Sequence, residues 1–155
     1  MNFGVLVFPG AEELDFAGPW EMVRVWSKVA GGPENCLKVA EQKDPVPCAK
    51  GMLVVPHDRA GLLSGRKATT HWASLERLRS LGDVTVVEER FVQDGFVWTA
   101  AGVSAGIDMT LAFIAHVAGA EAAGKVKLTA EYYPSRERYG GAGVHAQAPQ
   151  YARGV

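Results

Sequence analysis

The sequence predicts one α/β domain with a mainly parallel sheet. Phe3 to Phe8 is a nearly unbroken apolar run closed by Pro9-Gly10, the pattern of a strand covered on both faces. Strand-like runs then alternate with segments of helical periodicity, which favours parallel strands joined by helices. The 155 residues hold no internal repeat and no linker, and that length suits a single domain.

Each element has a local reason. From Trp20 the positions Trp20, Val23 and Trp26 recur at helical spacing, and Ala30-Gly31-Gly32-Pro33 stops the helix. Pro19 fits its first turn, where a missing N–H costs nothing. Leu37 to Glu41 reads as a short strand, Asp44-Pro45-Val46-Pro47 as a loop and Gly51 to Val55 as another strand. Gly61 to Gly65 reads as a turn. Thr70 to Leu81 reads as a helix with Trp72, Leu75 and Leu78 on one face. Val84 to Val87 is a strand, and Phe91 to Trp98 is a hairpin around Asp94-Gly95. Two helices follow, Gly102 to Ala118 and Ala120 to Glu131. The expected domain is 1–133, with a Gly-, Ala- and Pro-rich loop or disordered tail over 134–155.

Composition narrows the function classes. Hydrophobic residues make up 48%, enough for a real core, with roughly two-thirds of the unfolded surface buried at this size. A net charge of -1 gives no electrostatic case for nucleic acid or an anionic membrane. No apolar run approaches the roughly 20 residues of a membrane span. Cys36 and Cys48 lack metal spacing, which suggests free thiols, a reducing compartment and the cytoplasm.

The first strand runs into Glu12, Glu13 and Asp15. Ligands of open α/β sheets bind beyond the carboxyl ends of the strands, so a carboxylate there is a candidate acid or base. Asp15 is also a candidate helix N-cap, and by position alone a capping carboxylate is the commoner case. Glu12 and Glu13 read as a solvated turn. Gly102, Val103 and Ser104 open a helix whose N–H groups could face a polar ligand; close packing of small residues explains them equally well. His71 beside Trp72 looks like a base next to an aromatic, yet a lone His at a helix start is more often structural. His57, His116 and His145 show no metal-ligand spacing. Trp20 and Trp26 read as core or dimer interface.

Three segments together resemble the DJ-1/PfpI superfamily (class I glutamine amidotransferase-like), in its isonitrile hydratase branch. They are Phe8-Pro-Gly-Ala-Glu-Glu-Leu-Asp-Phe-Ala-Gly-Pro19, Ala60-Gly-Leu-Leu-Ser-Gly-Arg-Lys-Ala-Thr-Thr-His-Trp72 and Asp94-Gly-Phe-Val-Trp-Thr-Ala-Ala-Gly-Val-Ser-Ala-Gly-Ile-Asp108. Glu131-Tyr-Tyr-Pro134 also looks like the family's C-terminal end. The resemblance implies a flavodoxin-like sandwich, a homodimer, and a lyase that adds water to an isonitrile to give an N-substituted formamide, with no cofactor and no metal. It implies a cysteine nucleophile on a strand-to-helix elbow, and Asp15 matches the family's proton-handling carboxylate. Gly102, Val103 and Ser104 match the border of the cysteine pocket.

The chain departs from that pattern at one place. Asp58-Arg59 joins His57 directly to Ala60, where the family carries a Pro-Gly-Gly strand, a helix and the Cys-Thr-Gly elbow. Cys36 opens a strand after a Gly-Gly-Pro turn and Cys48 follows Pro-Val-Pro; neither sits between a strand end and a helix N-terminus, where a thiol pKa falls. The resulting expectation is an isonitrile hydratase-like chain without turnover and without its central strands. The alternative is a non-catalytic binding or interaction module, like the sensor domain of AraC-type regulators. A small-molecule ligand and a homodimer are the expected partners, without nucleic acid or membrane.

Overall fold

The structure, a computed structural model, describes residues 1–59, 63–135, 146 and 148–153. It is mixed α/β, with short parallel and antiparallel sheets. Strand β1 (Asn2–Leu6) pairs in parallel with β2 (Asn35–Ala40), from Asn2 opposite Asn35 to Leu6 opposite Val39. Between them runs helix α1 (Glu13–Val29), as a parallel crossover requires. β3 (Val46–Pro47) and β4 (Leu53–Val54) form an antiparallel pair where the sequence suggested a loop and a longer strand.

The junction after His57 is itself a strand. β5 (Asp58–Arg59) pairs in parallel with the outer edge of β2, giving the order β1-β2-β5. Among the described residues β1 therefore has one strand neighbour. β6 (Arg66–Ala68) and β7 (Val84–Val86) form a separate parallel pair. Between them come a 3-10 turn (Trp72–Ser74) and the short helix α2 (Leu75–Arg79), in place of one helix from Thr70 to Leu81. Leu75 and Leu78 are buried as expected, whereas Trp72 is exposed. Of the Gly61 to Gly65 turn, residues 61 and 62 lie outside the described residues, as does His145.

The hairpin forms as read. β8 (Phe91–Asp94) pairs with β9 (Val97–Ala100), and Gly95, at φ 61°, takes the first position of the two-residue loop. Helices α3 (Val103–Ala118) and α4 (Ala120–Thr129) follow.

Helix α1 begins seven residues before Trp20, so Pro19 is an interior residue and not in the first turn. Its ring lies against α3: a Cβ at Gly106 would stand 3.2 Å from Pro19 Cγ and 3.5 Å from the Asp15 carbonyl oxygen. A glycine at that crossing lets the two helices approach. Two apolar clusters result. Met22, Val23 and Trp26 of α1 pack with Ile114 of α3 and Ala122 and Val126 of α4. Val7, Ala11 and Phe16 pack with Ala40, Val46, Cys48 and Val54 beneath the β3–β4 pair. Trp26 is core, while Trp20 is half-buried and stacks on His57 with centroids 6.5 Å apart.

Residues 148–153 contain a 3-10 turn (Gln150–Ala152), with Ala148 buried and the Gln150 N–H donating to Glu88 Oε1 at 2.9 Å. Among the described residues, no helix is long and apolar enough to cross a membrane.

Candidate functional site

Beyond the carboxyl end of β1 the chain turns through Pro9 and Gly10 and enters α1. The N-cap is Glu12, whose side chain makes no capping bond, and Asp15 is the third helical residue. Asp15 is thus not the helix cap. Glu12 is exposed and pairs with Lys50 Nζ at 3.3 Å, as a solvated turn residue does.

Glu13 departs from that reading. Its Oε1 accepts the backbone N–H groups of Lys50 at 2.8 Å and Met52 at 3.3 Å, which fastens the β3–β4 turn to the start of α1. Desolvation pushes its carboxyl up. The hydrogen bonds from its own, Lys50 and Met52 N–H groups and the Lys50 charge outweigh this and hold it below 4.5.

Asp15 has no such support. It is half-buried, and its Oδ1 is buried with no hydrogen-bond partner. Desolvation raises its pKa above 3.8, the Glu12 carboxylate adds to this, and the charge of His71 opposes it. His71 therefore belongs to the same neighbourhood. Its Nδ1 accepts the Ala73 N–H at 3.3 Å, capping the 3-10 turn, which leaves Nε2 as the free nitrogen. A Cβ at Gly102 would stand 3.4 Å from His71 Cδ2, so the imidazole lies against the start of α3.

That start is the segment 102–104. Gly102 is the N-cap of α3 and makes no side-chain bond; Val103 is exposed. Ser104 Oγ accepts from Arg90 Nη2 at 3.1 Å. Arg90 also donates through Nε to Asp108 Oδ2 at 2.8 Å, and Tyr132 OH donates to Asp108 Oδ1 at 3.0 Å. The structure thus gathers Asp15, His71 and Gly102 and fixes Ser104 from behind. Sequence reasoning noticed His71 but ranked it as structural; it caps a turn and also faces the helix start.

Neither cysteine is placed as a nucleophile. Cys36, opposite Phe3, sits at the amino end of β2, away from this edge. Cys48 is buried, and desolvation together with the Glu13 charge pushes its thiol up from 9.0, against thiolate formation. Among the described residues, no group of three His, Cys, Asp or Glu could hold a metal ion.

The fold and this edge define a flavodoxin-like α/β protein with a half-buried carboxylate at the carboxyl end of its first strand. Residues 57–116 match the DJ-1/PfpI family. The chain is 43% identical over 76 residues to an isonitrile hydratase from Pseudomonas putida, covering 49% of this chain and 33% of that protein. It is 41% identical over 68 residues to the HTH-type transcriptional regulator CdhR from Pseudomonas aeruginosa, covering 43% and 20%. It therefore spans only a third or less of the curated relatives it matches. A THiJ/PfpI family protein from Pseudomonas syringae shares the fold with a TM-score of 0.68 at 24% identity, over 98% of this chain and 82% of that one. The family match over residues 57–116, the isonitrile hydratase relative and the shared THiJ/PfpI fold together support the DJ-1/PfpI superfamily and its isonitrile hydratase-like branch.

Proposed function

We propose that this chain keeps the ligand edge of an isonitrile hydratase-like protein as a small-molecule site and, in this form, does not turn isonitriles over. Asp15 is the acid/base residue of that site, and Gly102, Val103 and Ser104 border the ligand. One observation carries the reading: an unpartnered, half-buried carboxylate oxygen beside an imidazole, with no thiol set against it among the described residues. Perturbed carboxylates cluster at functional sites, which supports this assignment. Hydration of an isonitrile needs a nucleophile on the terminal carbon as well as a proton donor. Asp15 and His71 offer only proton transfer.

The second reading, a non-catalytic module like the sensor half of a transcription regulator, is favoured by the match to CdhR. Two free cysteines support a cytoplasmic setting. A domain over 1–133 is supported by the three-helix cluster that α4 completes with α1 and α3.

The test incubates purified protein with an alkyl isonitrile and follows the formamide by mass spectrometry. No product is expected, while amide resonances of Asp15 and Gly102 shift as the isonitrile is added. Turnover abolished by Asp15→Asn overturns the claim of inactivity. An open reading frame between the codons for His57 and Ala60 that encodes a Cys-Thr-Gly elbow restores the enzyme reading for the longer chain.

A further inference from the structure

The Asp15 edge lies beyond the carboxyl end of β1, and a different space opens at its amino end. A cavity of about 560 Å³ lies there, a size typical of small-molecule sites, which run from roughly 300 to 1,000 Å³. Aromatic rings form its walls: Phe3 of β1, Phe96 and Trp98 of the hairpin, and Phe113 and His116 of α3. They brace one another. The Phe113 centroid stands 5.4 Å from that of Phe3 and 5.7 Å from that of Trp98, and Trp98 stands 5.8 Å from His116. Phe96 projects from the hairpin turn and is 74% exposed. No Asp, Glu, Lys or Arg is among the described residues that line the cavity.

The polar groups of the wall narrow the ligand. Asn2 Oδ1 accepts from Asn35 Nδ2 at 3.1 Å, and Thr110 Oγ1 donates to the Gly106 carbonyl oxygen at 2.8 Å, so both side chains are engaged. Gly4 shows the cavity only backbone. The Val7 N–H donates to the Val39 carbonyl of β2 at 2.8 Å, and successive strand residues point their N–H and C=O to alternate sides. Phe3, Val5 and Val7 therefore face β2. Gly4 points its N–H and C=O the other way, where β1 has no strand partner among the described residues.

We infer that this cavity binds an uncharged, planar heteroaromatic molecule that carries a hydrogen-bond donor beside an acceptor, as a lactam does, set edge-on to the Gly4 N–H and C=O. Aromatic walls favour a flat ring, which stacks on them or meets them edge to face. A charged ligand would give up its hydration with no Asp, Glu, Lys or Arg to replace it. A wholly apolar one would strip water from the Gly4 groups and return no hydrogen bond. An extended peptide would run on past Leu6, which is outside the wall. The site is independent of the ligand reading at Asp15.

The test titrates carbostyril, a neutral bicyclic lactam, into the isotope-labelled full chain and follows the amide resonances. The expected result is a saturable downfield shift of the Gly4 amide proton, with the Asp15 and Gly102 amides unmoved. N-methylcarbostyril, whose donor is blocked, binds about fivefold more weakly, as the loss of one hydrogen bond predicts. Phe96→Ser keeps the fold by circular dichroism, because the ring is exposed, and weakens carbostyril binding by about the same factor. Leu128→Ser, exposed and away from the cavity, changes nothing. A Gly4 amide that stays still at millimolar carbostyril overturns the inference. Equal affinity for the methylated probe overturns it without recourse to any variant. So does a Gly4 shift produced by concentrating the protein alone, which gives the edge to a second copy.

Discussion

Replacing Asp15 by Asn stabilises the protein at neutral pH. A buried polar atom left without a partner costs about 1–3 kcal/mol, and Asp15 Oδ1 is such an atom on an ionised group. The side chain is only half-buried, and solvent screens the remainder, so the lower end applies: about 1 kcal/mol. Asn leaves a polar atom in the same place and removes only the charge, so the gain is the extra cost of burying the ionised form. For a domain of this size that gain raises Tm by about 2–4 °C. The pH dependence has a definite sign. Desolvation, with Glu12 behind it, raises the folded pKa above the ordinary 3.8, so the native state binds the proton more tightly than the unfolded chain. The penalty is full at pH 7, fades as pH falls through the folded pKa, and is gone only below 3.8, where both states are protonated. Calorimetry at pH 7 and near pH 4 therefore shows Asp15→Asn melting higher at pH 7, with the gap closing in acid. A variant that melts below the parent at pH 7, or keeps the same gap at both pH values, refutes the argument. A stabilising change at a candidate site also marks a residue held against the interest of folding.

Two further outcomes concern the scaffold. Ile114 is fully buried among Met22, Val23, Trp26 and Val126, so Ile114→Ala costs about 2–5 kcal/mol by urea unfolding; a loss near zero contradicts the three-helix core. Glu13→Ala frees the N–H groups of Lys50 and Met52, whose hydrogen exchange quickens while the β8–β9 amides stay protected. Because the Glu13 carboxyl is held below 4.5, its contribution is present above that value and is lost as pH falls through the folded pKa. The Lys50 and Met52 amides of the parent then quicken in acid as those of the variant do at neutral pH, relative to the intrinsic rate.

What the sequence made legible follows local rules. The hairpin was readable because Asp94-Gly95 sits between two apolar runs, and α3 because Gly102 precedes an unbroken helical segment. The start of α1 was not readable. Pro19 looks like a first-turn residue, and only its seat against Gly106 makes it an interior one. Strand β6 was hidden by its composition, Arg66-Lys67-Ala68. Its order comes from distant partners: the Lys67 N–H donates to Asp94 Oδ2 at 2.7 Å, and the Thr69 N–H beyond it to Thr99 Oγ1 at 2.9 Å. Asp15 and the segment 102–104 became candidates from their positions at the ends of elements. The meeting of His71 with Gly102 and Asp15 is a tertiary fact that spacing does not encode.

The Arg90 guanidinium behind Ser104 has a consequence for what could lie in front of it. Arg90 Nη2 donates to Ser104 Oγ, so the hydroxyl is already engaged as an acceptor. Its own proton remains free to turn outward, and the cationic neighbour makes that O–H a stronger donor. A molecule arriving at the head of α3 therefore meets a polarised donor. On the ligand reading proposed above, a group that accepts a hydrogen bond is favoured there over an ammonium group, which has only donors.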